Sequence, residues 1–207
     1  MIRHALLTAL LSISTTLGAA AAAADAPTTA TAIFAGGCFW CAEADFDKRD
    51  GVISTTSGFD GGTTPDPTYE QVSSGGTAYV ESVKVVYDPQ KVTYPQLLDY
   101  FWRHIDPLDG SGQFCDHGPQ YRSVIFYETE EQRQQALASK QALERSGRFG
   151  KPIATTIAPS TQFYPAEDYH QDFYKKNPLR YNTYRAGCGR DQRVRALWGE
   201  TAGDKPS

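Results

Sequence analysis

The run Gly36-Gly37-Cys38-Phe39-Trp40-Cys41-Ala42-Glu43 carries the clearest chemical potential in the chain. It follows a short apolar stretch, Ala32-Ile33-Phe34-Ala35, and continues with apolar residues at helical spacing, Phe39, Ala42 and Phe46, so a strand turns here into a helix. That turn puts Cys38 at a helix N-terminus, where unpaired backbone N–H groups and the positive end of the helix dipole favour a thiolate over a thiol. A cysteine so placed is a nucleophile at neutral pH. The plainer alternative is a buried structural cysteine. Two flexible glycines before the sulfur and two large aromatics after it fit better with a sulfur presented to a ligand.

The remaining cysteines are Cys41, Cys115 and Cys188. Four cysteines permit three complete pairings in an oxidising compartment, and sequence does not choose among them. Cys38-x-x-Cys41 also has the spacing of half a zinc site. The other half is missing, because Cys115 and Cys188 lie far apart in sequence and His104, His117 and His170 have no ligand-like spacing. No metal is expected.

Strands and helices that alternate along the chain must position these groups. Strands are expected at Thr31–Ala35, Tyr79–Tyr87, Tyr121–Tyr127 and Ile153–Ala158, each with β-branched or aromatic content. Helices are expected at Phe39–Lys48, Tyr94–His104, Glu128–Ser146 and Ala166–Lys175, with Thr93 and Thr129 as start signals. A turn-rich segment, Gly58–Gly76, separates the first helix from the second strand, and its glycines read as turn residues. The pattern is α+β, a single-domain α/β sandwich with a mixed sheet. No Gly-x-Gly-x-x-Gly or P-loop follows a strand, which argues against a nucleotide-binding sheet.

The first 24 residues have a basic start at Arg3 and His4, an apolar stretch of about a dozen residues and an alanine exit, Ala22-Ala23-Ala24. These are the parts of a secretory signal peptide, with cleavage before Asp25 and a periplasmic or secreted location. The apolar region is short for a membrane span and interrupted by Ser12, Ser14, Thr15 and Thr16. Residues 25–30 form a small-residue linker, 31–199 one domain, and 200–207 a polar, frayed tail. Removing the signal leaves 19 basic and 24 acidic residues, a net charge of −5. That balance argues against nucleic acid as a partner.

Five blocks complete the reading: Gly37-Cys38-Phe39-Trp40, Gly58-Phe59-Asp60-Gly61-Gly62, Pro67-Thr68-Tyr69, Glu81-Ser82-Val83-Lys84-Val85-Val86-Tyr87-Asp88-Pro89 and Asp116-His117-Gly118-Pro119-Gln120-Tyr121-Arg122-Ser123. In this order the chain, from about Thr31 to Gly199, resembles the A-type peptide methionine sulfoxide reductases. The resemblance implies a ferredoxin-like core, reduction of methionine S-sulfoxide, free or in oxidised exported proteins, no bound cofactor, and recycling by an external thioredoxin-like dithiol. A monomer is expected.

The resemblance also implies roles. Cys38 attacks the sulfoxide sulfur, Glu81 protonates its oxygen, and Tyr69 and Tyr121 donate hydrogen bonds to that oxygen. Glu81 must then have a raised pKa, which burial beside apolar rings supplies. Phe39 and Trp40 correspond to rings that hold the S-methyl group, and Asp116 supports the polar partners. Glu43 reads instead as a helix residue pairing with Lys48 or Arg49 on the surface. After the first step Cys38 is a sulfenic acid that a second thiol resolves to a disulfide. Cys41 is the favoured resolver, although a regular helix holds positions three apart at about 5–6 Å, more than a disulfide prefers. Cys188, freed by Gly187 and Gly189, is the other candidate. Cys115 reads as a packed thiol or half of a structural disulfide. Where many members read Thr-Gly-His, this chain has Thr77-Ala78-Tyr79, which changes the rim of the site. The competing class is an exported thiol–disulfide oxidoreductase using Cys38-x-x-Cys41 directly. Such an enzyme has no need of Tyr69, Glu81 and Tyr121 around the sulfur, so their grouping discriminates.

Overall fold

Four consecutive residues, Ala32, Ile33, Phe34 and Ala35, are at most 1% exposed, the mark of a strand covered on both faces. They lie in β1 (Ala30–Gly36), the centre of the computed structural model, which describes residues 29–199 and Ala202. The expected signal peptide over 1–24, residues 25–28 of the linker, and the tail over 200–207 apart from Ala202 lie outside the described residues.

The chain continues through α1 (Phe39–Phe46), β2 (Val52–Asp60), α2 (Tyr69–Ser73), β3 (Val80–Tyr87), α3 (Tyr94–Trp102), β4 (Gly112–Gln113), β5 (Asp116–His117), a 3-10 turn (Pro119–Tyr121), β6 (Ser123–Tyr127) and α4 (Glu130–Arg145). It ends in β7 (Thr156–Pro159), β8 (Tyr164–Pro165), α5 (Phe173–Lys176), α6 (Pro178–Gly187) and α7 (Arg190–Trp198). Six strands form one sheet in the order β7-β6-β1-β3-β2-β8, and β4 pairs with β5 separately. β1 runs antiparallel to β3 and β6, with Phe34 opposite Val83 and Ile125, and β6 runs parallel to β7, so the sheet is mixed. The inner path β1-α1-β2-β3-α3-β6 with spatial order β6-β1-β3-β2 is the split βαβ of a ferredoxin-like core.

On one face Phe34 stacks with Phe46, Tyr94 and Phe101 at centroid distances of 5.0, 6.1 and 5.0 Å, which seats α1 and α3 on the sheet. The other face buries Ile33, Ala35, Val80, Val124 and Phe126. Helix starts follow the expected chemistry: Thr93 and Gln96 make a capping box for α3, and the Thr129 hydroxyl accepts from the Gln132 N–H at the head of α4. No helix among the described residues is long and apolar enough to cross a membrane.

Three expectations are corrected. Gly58 to Asp60 belong to β2, not to a loop, and α2 forms inside the segment read as turns. The helix expected at Ala166–Lys175 shrinks to α5, because the Gln171 side chain accepts from the Ser57 N–H at 2.8 Å and donates to the Ser57 carbonyl at 2.8 Å. Gln171 thereby caps the edge of β2 as a strand would, and Asp172 follows in the left-handed region at φ +53°. Finally, the segment around Cys188 is no loose tail: α6 runs to Gly187 and α7 starts at Arg190, with Gly189 at φ +66° turning the corner.

Candidate active site

The turn from β1 into α1 works as its residue types require. Gly37 has φ +83°, and a Cβ there would come within 2.6 Å of the Gln113 Cβ, so only glycine fits. Cys38 is the N-cap of α1 at φ −49°, ψ 120°, outside helical geometry, and its carbonyl accepts from the Cys41 and Ala42 N–H groups at 3.1 and 3.3 Å.

The expectation that helix-terminal amides lower the Cys38 pKa is not met. Burial pushes the Cys38 thiol well up, and Cys41 and Glu81 reinforce the rise. The amide that would have favoured a thiolate is engaged elsewhere: the Phe39 N–H donates to Glu81 Oε2 at 3.0 Å. Cys41 is also buried, at 1% exposed, yet its pKa is lowered, first by its hydrogen bond with Cys38 and further by Arg190 and Arg185. Arg185 lies 2.9 Å from buried Asp45, and Arg190 donates to the Gly36 and His104 carbonyls at 3.0 Å each.

Glu81 projects from β3 and is 2% exposed. Burial raises its pKa to about 8, with Asp116 and Cys41 adding to the rise, so it is a neutral acid at pH 7. With Oε2 accepting from Phe39, its other oxygen is free to carry the proton. Tyr69, the first residue of α2, and Tyr121, the last of the 3-10 turn, influence each other electrostatically, and both feel Glu81 and Cys38. Burial holds Tyr69 up at about 12 and moves Tyr121 in the same direction, so both hydroxyls stay protonated donors. Tyr121 reaches the site because Ser123, not Tyr121, starts β6.

Phe39 and Trp40 line the same region. The Phe39 ring lies 5.0 Å from His170, 5.8 Å from Phe59 and 6.2 Å from Tyr69. Trp40 stacks on Phe173 at 3.7 Å, meets Tyr184 edge-on at 5.8 Å, and donates its Nε1–H to His170 Nδ1 at 2.9 Å. Burial lowers the His170 pKa, keeping it neutral, and the other ring nitrogen has no protein partner among the described residues. An apolar, polarizable cluster of rings edged by hydroxyls and a neutral carboxylic acid suits a small group carrying a sulfur and a basic oxygen.

His170, Phe173 and Tyr184 escaped the sequence reading. Tyr184 hydrogen-bonds Asp116, which does come to the site, and it lies beside Cys38, whose thiolate it favours. Its position one helical turn before Cys188 was the available signal. Cys115 and Cys188 form a disulfide, Cα atoms 4.8 Å apart, while Cys38 and Cys41 are free. Glu43 is not a surface residue: it is 1% exposed, accepts from the Asp172 N–H at 2.9 Å, and burial lifts its pKa to about 7. Tyr79 packs over Gly62, where a Cβ would lie 2.4 Å from its ring, and its hydroxyl donates to the Thr64 carbonyl, so it shapes the Gly62–Thr64 loop.

The family model described as peptide methionine sulfoxide reductase matches residues 30–202. The chain is 53% identical over 169 residues to the peptide methionine sulfoxide reductase MsrA of Halalkalibacterium halodurans, covering 82% of this chain and 96% of that protein. It is 54% identical over 168 residues to the MsrA of Ligilactobacillus salivarius, covering 81% and 97%. Among solved structures, reduced Mxr1 from Saccharomyces cerevisiae superposes with a TM-score of 0.69 at 32% identity, over 75% of this chain and 89% of that one. Methionine sulfoxide reductase A of Corynebacterium diphtheriae superposes with a TM-score of 0.66 at 36% identity, over 75% and 78%. A family model spanning most of the chain and relatives identical at about half of the aligned positions show that the chain belongs to the peptide methionine sulfoxide reductase family of thiol-dependent oxidoreductases.

Proposed function

We propose that this protein reduces methionine S-sulfoxide, free or in exported proteins, with Cys38 as nucleophile. The observation that carries the reading is the grouping of the Cys38 sulfur with Glu81, protonated at pH 7, and the hydroxyls of Tyr69 and Tyr121. Reduction of a sulfoxide needs a nucleophile at sulfur and a proton at oxygen, and these groups offer both. The S-methyl group sits against Phe39 and Trp40. The Cys38 thiolate attacks the substrate sulfur, Glu81 protonates the oxygen, and the oxygen passes to Cys38 as a sulfenic acid while the thioether leaves. The sum is Cys–SH plus sulfoxide giving Cys–SOH plus thioether, with two electrons passing from the Cys38 sulfur to the substrate.

Cys41 then displaces water from the sulfenic acid to form a Cys38–Cys41 disulfide. Its neighbours Arg185, partly buried, and Arg190, buried, favour the thiolate that this step requires, whereas Cys188 is engaged with Cys115. A thioredoxin-like dithiol restores the resting enzyme, and no cofactor takes part. Arg3, the apolar stretch and the alanine exit support export to the periplasm or beyond, with a mature N-terminus at Asp25. Direct thiol–disulfide exchange is the weaker reading, because Glu81, Tyr69 and Tyr121 would have no task in it.

The test is a stereospecific sulfoxide-reduction assay with a dithiol reductant, comparing wild type with Cys38→Ser. The serine variant is expected to fold and to be inactive, because its hydroxyl is far less nucleophilic at neutral pH. Ordinary turnover by that variant rejects the mechanism.

A further inference from the structure

A buried thiol of raised pKa needs a base, and neither Glu81 nor the tyrosines beside it can serve, since all three hold their protons at pH 7. Tyr184 stands on the other flank of the sulfur. It projects from α6, contacts the Trp40 ring at 5.8 Å, hydrogen-bonds the Asp116 carboxylate on β5, and lies beside the Cys38 sulfur, whose thiolate it favours. A tyrosine has one proton and cannot donate to both partners at once. When it donates to Asp116, its oxygen is left to accept from the Cys38 S–H; when it donates to Cys38, the sulfur is an anion.

We propose that Tyr184 is a further catalytic residue: its oxygen takes the proton of the Cys38 thiol as its own proton passes to the Asp116 carboxylate. Each proton moves one hydrogen bond, one S–H bond breaks and one carboxyl O–H bond forms. The negative charge moves from Asp116 to the Cys38 sulfur, and Tyr184 ends as a neutral donor to the thiolate. Asp116 later releases its proton to solvent while Glu81 regains one. The inference rests on Cys38 as nucleophile.

The structure holds this relay together covalently. Asp116 follows Cys115 directly, and the Cys188 N–H donates to the Tyr184 carbonyl at 2.9 Å, so the Cys115–Cys188 disulfide joins the two segments that bear the relay. Charged and titratable groups around Cys38 are Cys41 on α1, Glu81 on β3, Tyr69 on α2, Tyr121 on the 3-10 turn and Tyr184 on α6; around Asp116 they are Tyr184, Glu81, Tyr121, Arg190 and His117. Of these Asp116 is the carboxylate within one hydroxyl of the sulfur.

The experiment measures methionine formed in a single turnover without reductant, and the alkylation rate of Cys38 by iodoacetamide read by mass spectrometry, both against pH. Wild type, Tyr184→Phe, Asp116→Asn, the double variant and Cys41→Ser are compared. Tyr184→Phe is expected to lower both rates at pH 7 by on the order of 10²-fold, the lower range for a positioned acid–base group. The deficit narrows as pH rises and solvent can remove the proton. Asp116→Asn behaves alike, and the double variant is no slower than either single one, since one path is cut twice. Asp116→Asn carries the test if Tyr184→Phe does not fold. Wild-type rates in Tyr184→Phe overturn the proposal, as does a deficit that is constant with pH at unchanged alkylation. So does a large loss in Cys41→Ser alone, which would make Cys41 the base. Activity in Cys38→Ser would instead reject the nucleophile itself.

Discussion

Replacing Glu81 by Gln is expected to make the enzyme slower and its fold more stable, and the two effects share one cause. Burial raises the Glu81 pKa from 4.5 to about 8. At pH 7 a carboxyl of that pKa is about 90% protonated, against roughly 0.3% at the ordinary value, an enrichment in acid of about 300-fold. The sign for stability follows from proton counting. Between the unfolded and folded pKa values the unfolded chain ionises Glu81 while the folded one keeps its proton, so stability falls as pH rises across that window and levels off above the folded value. At pH 7 this group costs about 3 kcal/mol. Glutamine does not titrate, and its oxygen can still accept from the Phe39 N–H. The Glu81→Gln protein should therefore match wild type near pH 4 and exceed it by about 3 kcal/mol at pH 7. Glu43, raised to about 7, affects both proteins equally and cancels in the difference. Its single-turnover rate should fall on the order of 10²- to 10⁴-fold, the range for a positioned general acid. Urea unfolding from pH 4 to 9 with rapid-quench assays measures both. A stability difference constant across that range, or an unchanged rate, refutes the reasoning.

Three further outcomes are expected. The double variant Tyr69→Phe and Tyr121→Phe should slow single-turnover reduction more than either single variant, measured by methionine release, because both hydroxyls serve one oxygen. Cys41→Ser should release one methionine per enzyme without reductant yet lose the disulfide that peptide mapping finds between residues 38 and 41; a bond from Cys38 to Cys188 formed at full rate would make Cys41 a bystander. Replacing Cys115 and Cys188 together by Ala reopens a sequence separation of 73 residues. Loop-closure entropy then predicts a loss of about 4 kcal/mol, visible as a midpoint shift in guanidinium unfolding.

What could be read in advance was local. Gly36-Gly37-Cys38 announced its turn because a positive φ and a close approach to Gln113 leave no room for a side chain. Glu81 was placed by the family resemblance, and its strand, β3, pairs beside β1 on the sheet. β2 was illegible because its first half, Val52 to Thr56, is partly exposed, and because Gly58 serves a strand here: a Cβ would fall 2.3 Å from the Tyr164 carbonyl. Tyr184 and His170 depend on contacts across 68 and 130 residues, with Asp116 and Trp40 respectively, and no periodicity encodes those. The thiolate expected from the helix terminus failed for a tertiary reason, since burial outweighs a dipole whose first amide already serves Glu81.

Burial at this site makes contrary demands on its two central groups. It keeps Glu81 protonated, which acid catalysis needs, and it keeps Cys38 protonated, which nucleophilic attack opposes. Exposing the sulfur to water would ease the second demand and spoil the first, because the carboxyl and the thiol flank the same substrate. The overall reaction turns a thiol and a neutral sulfoxide into a sulfenic acid and a neutral thioether, so no net charge is created in the pocket. A low dielectric therefore penalises only the path between these states, in proportion to how far charge must be separated on the way. Short hydrogen-bonded steps meet that condition where a bulk-water proton exchange would not. An apolar floor of Phe39 and Trp40, with the acid and the hydroxyls on one flank and a carboxylate one hydroxyl away on the other, lets the site stay dry while its protons move.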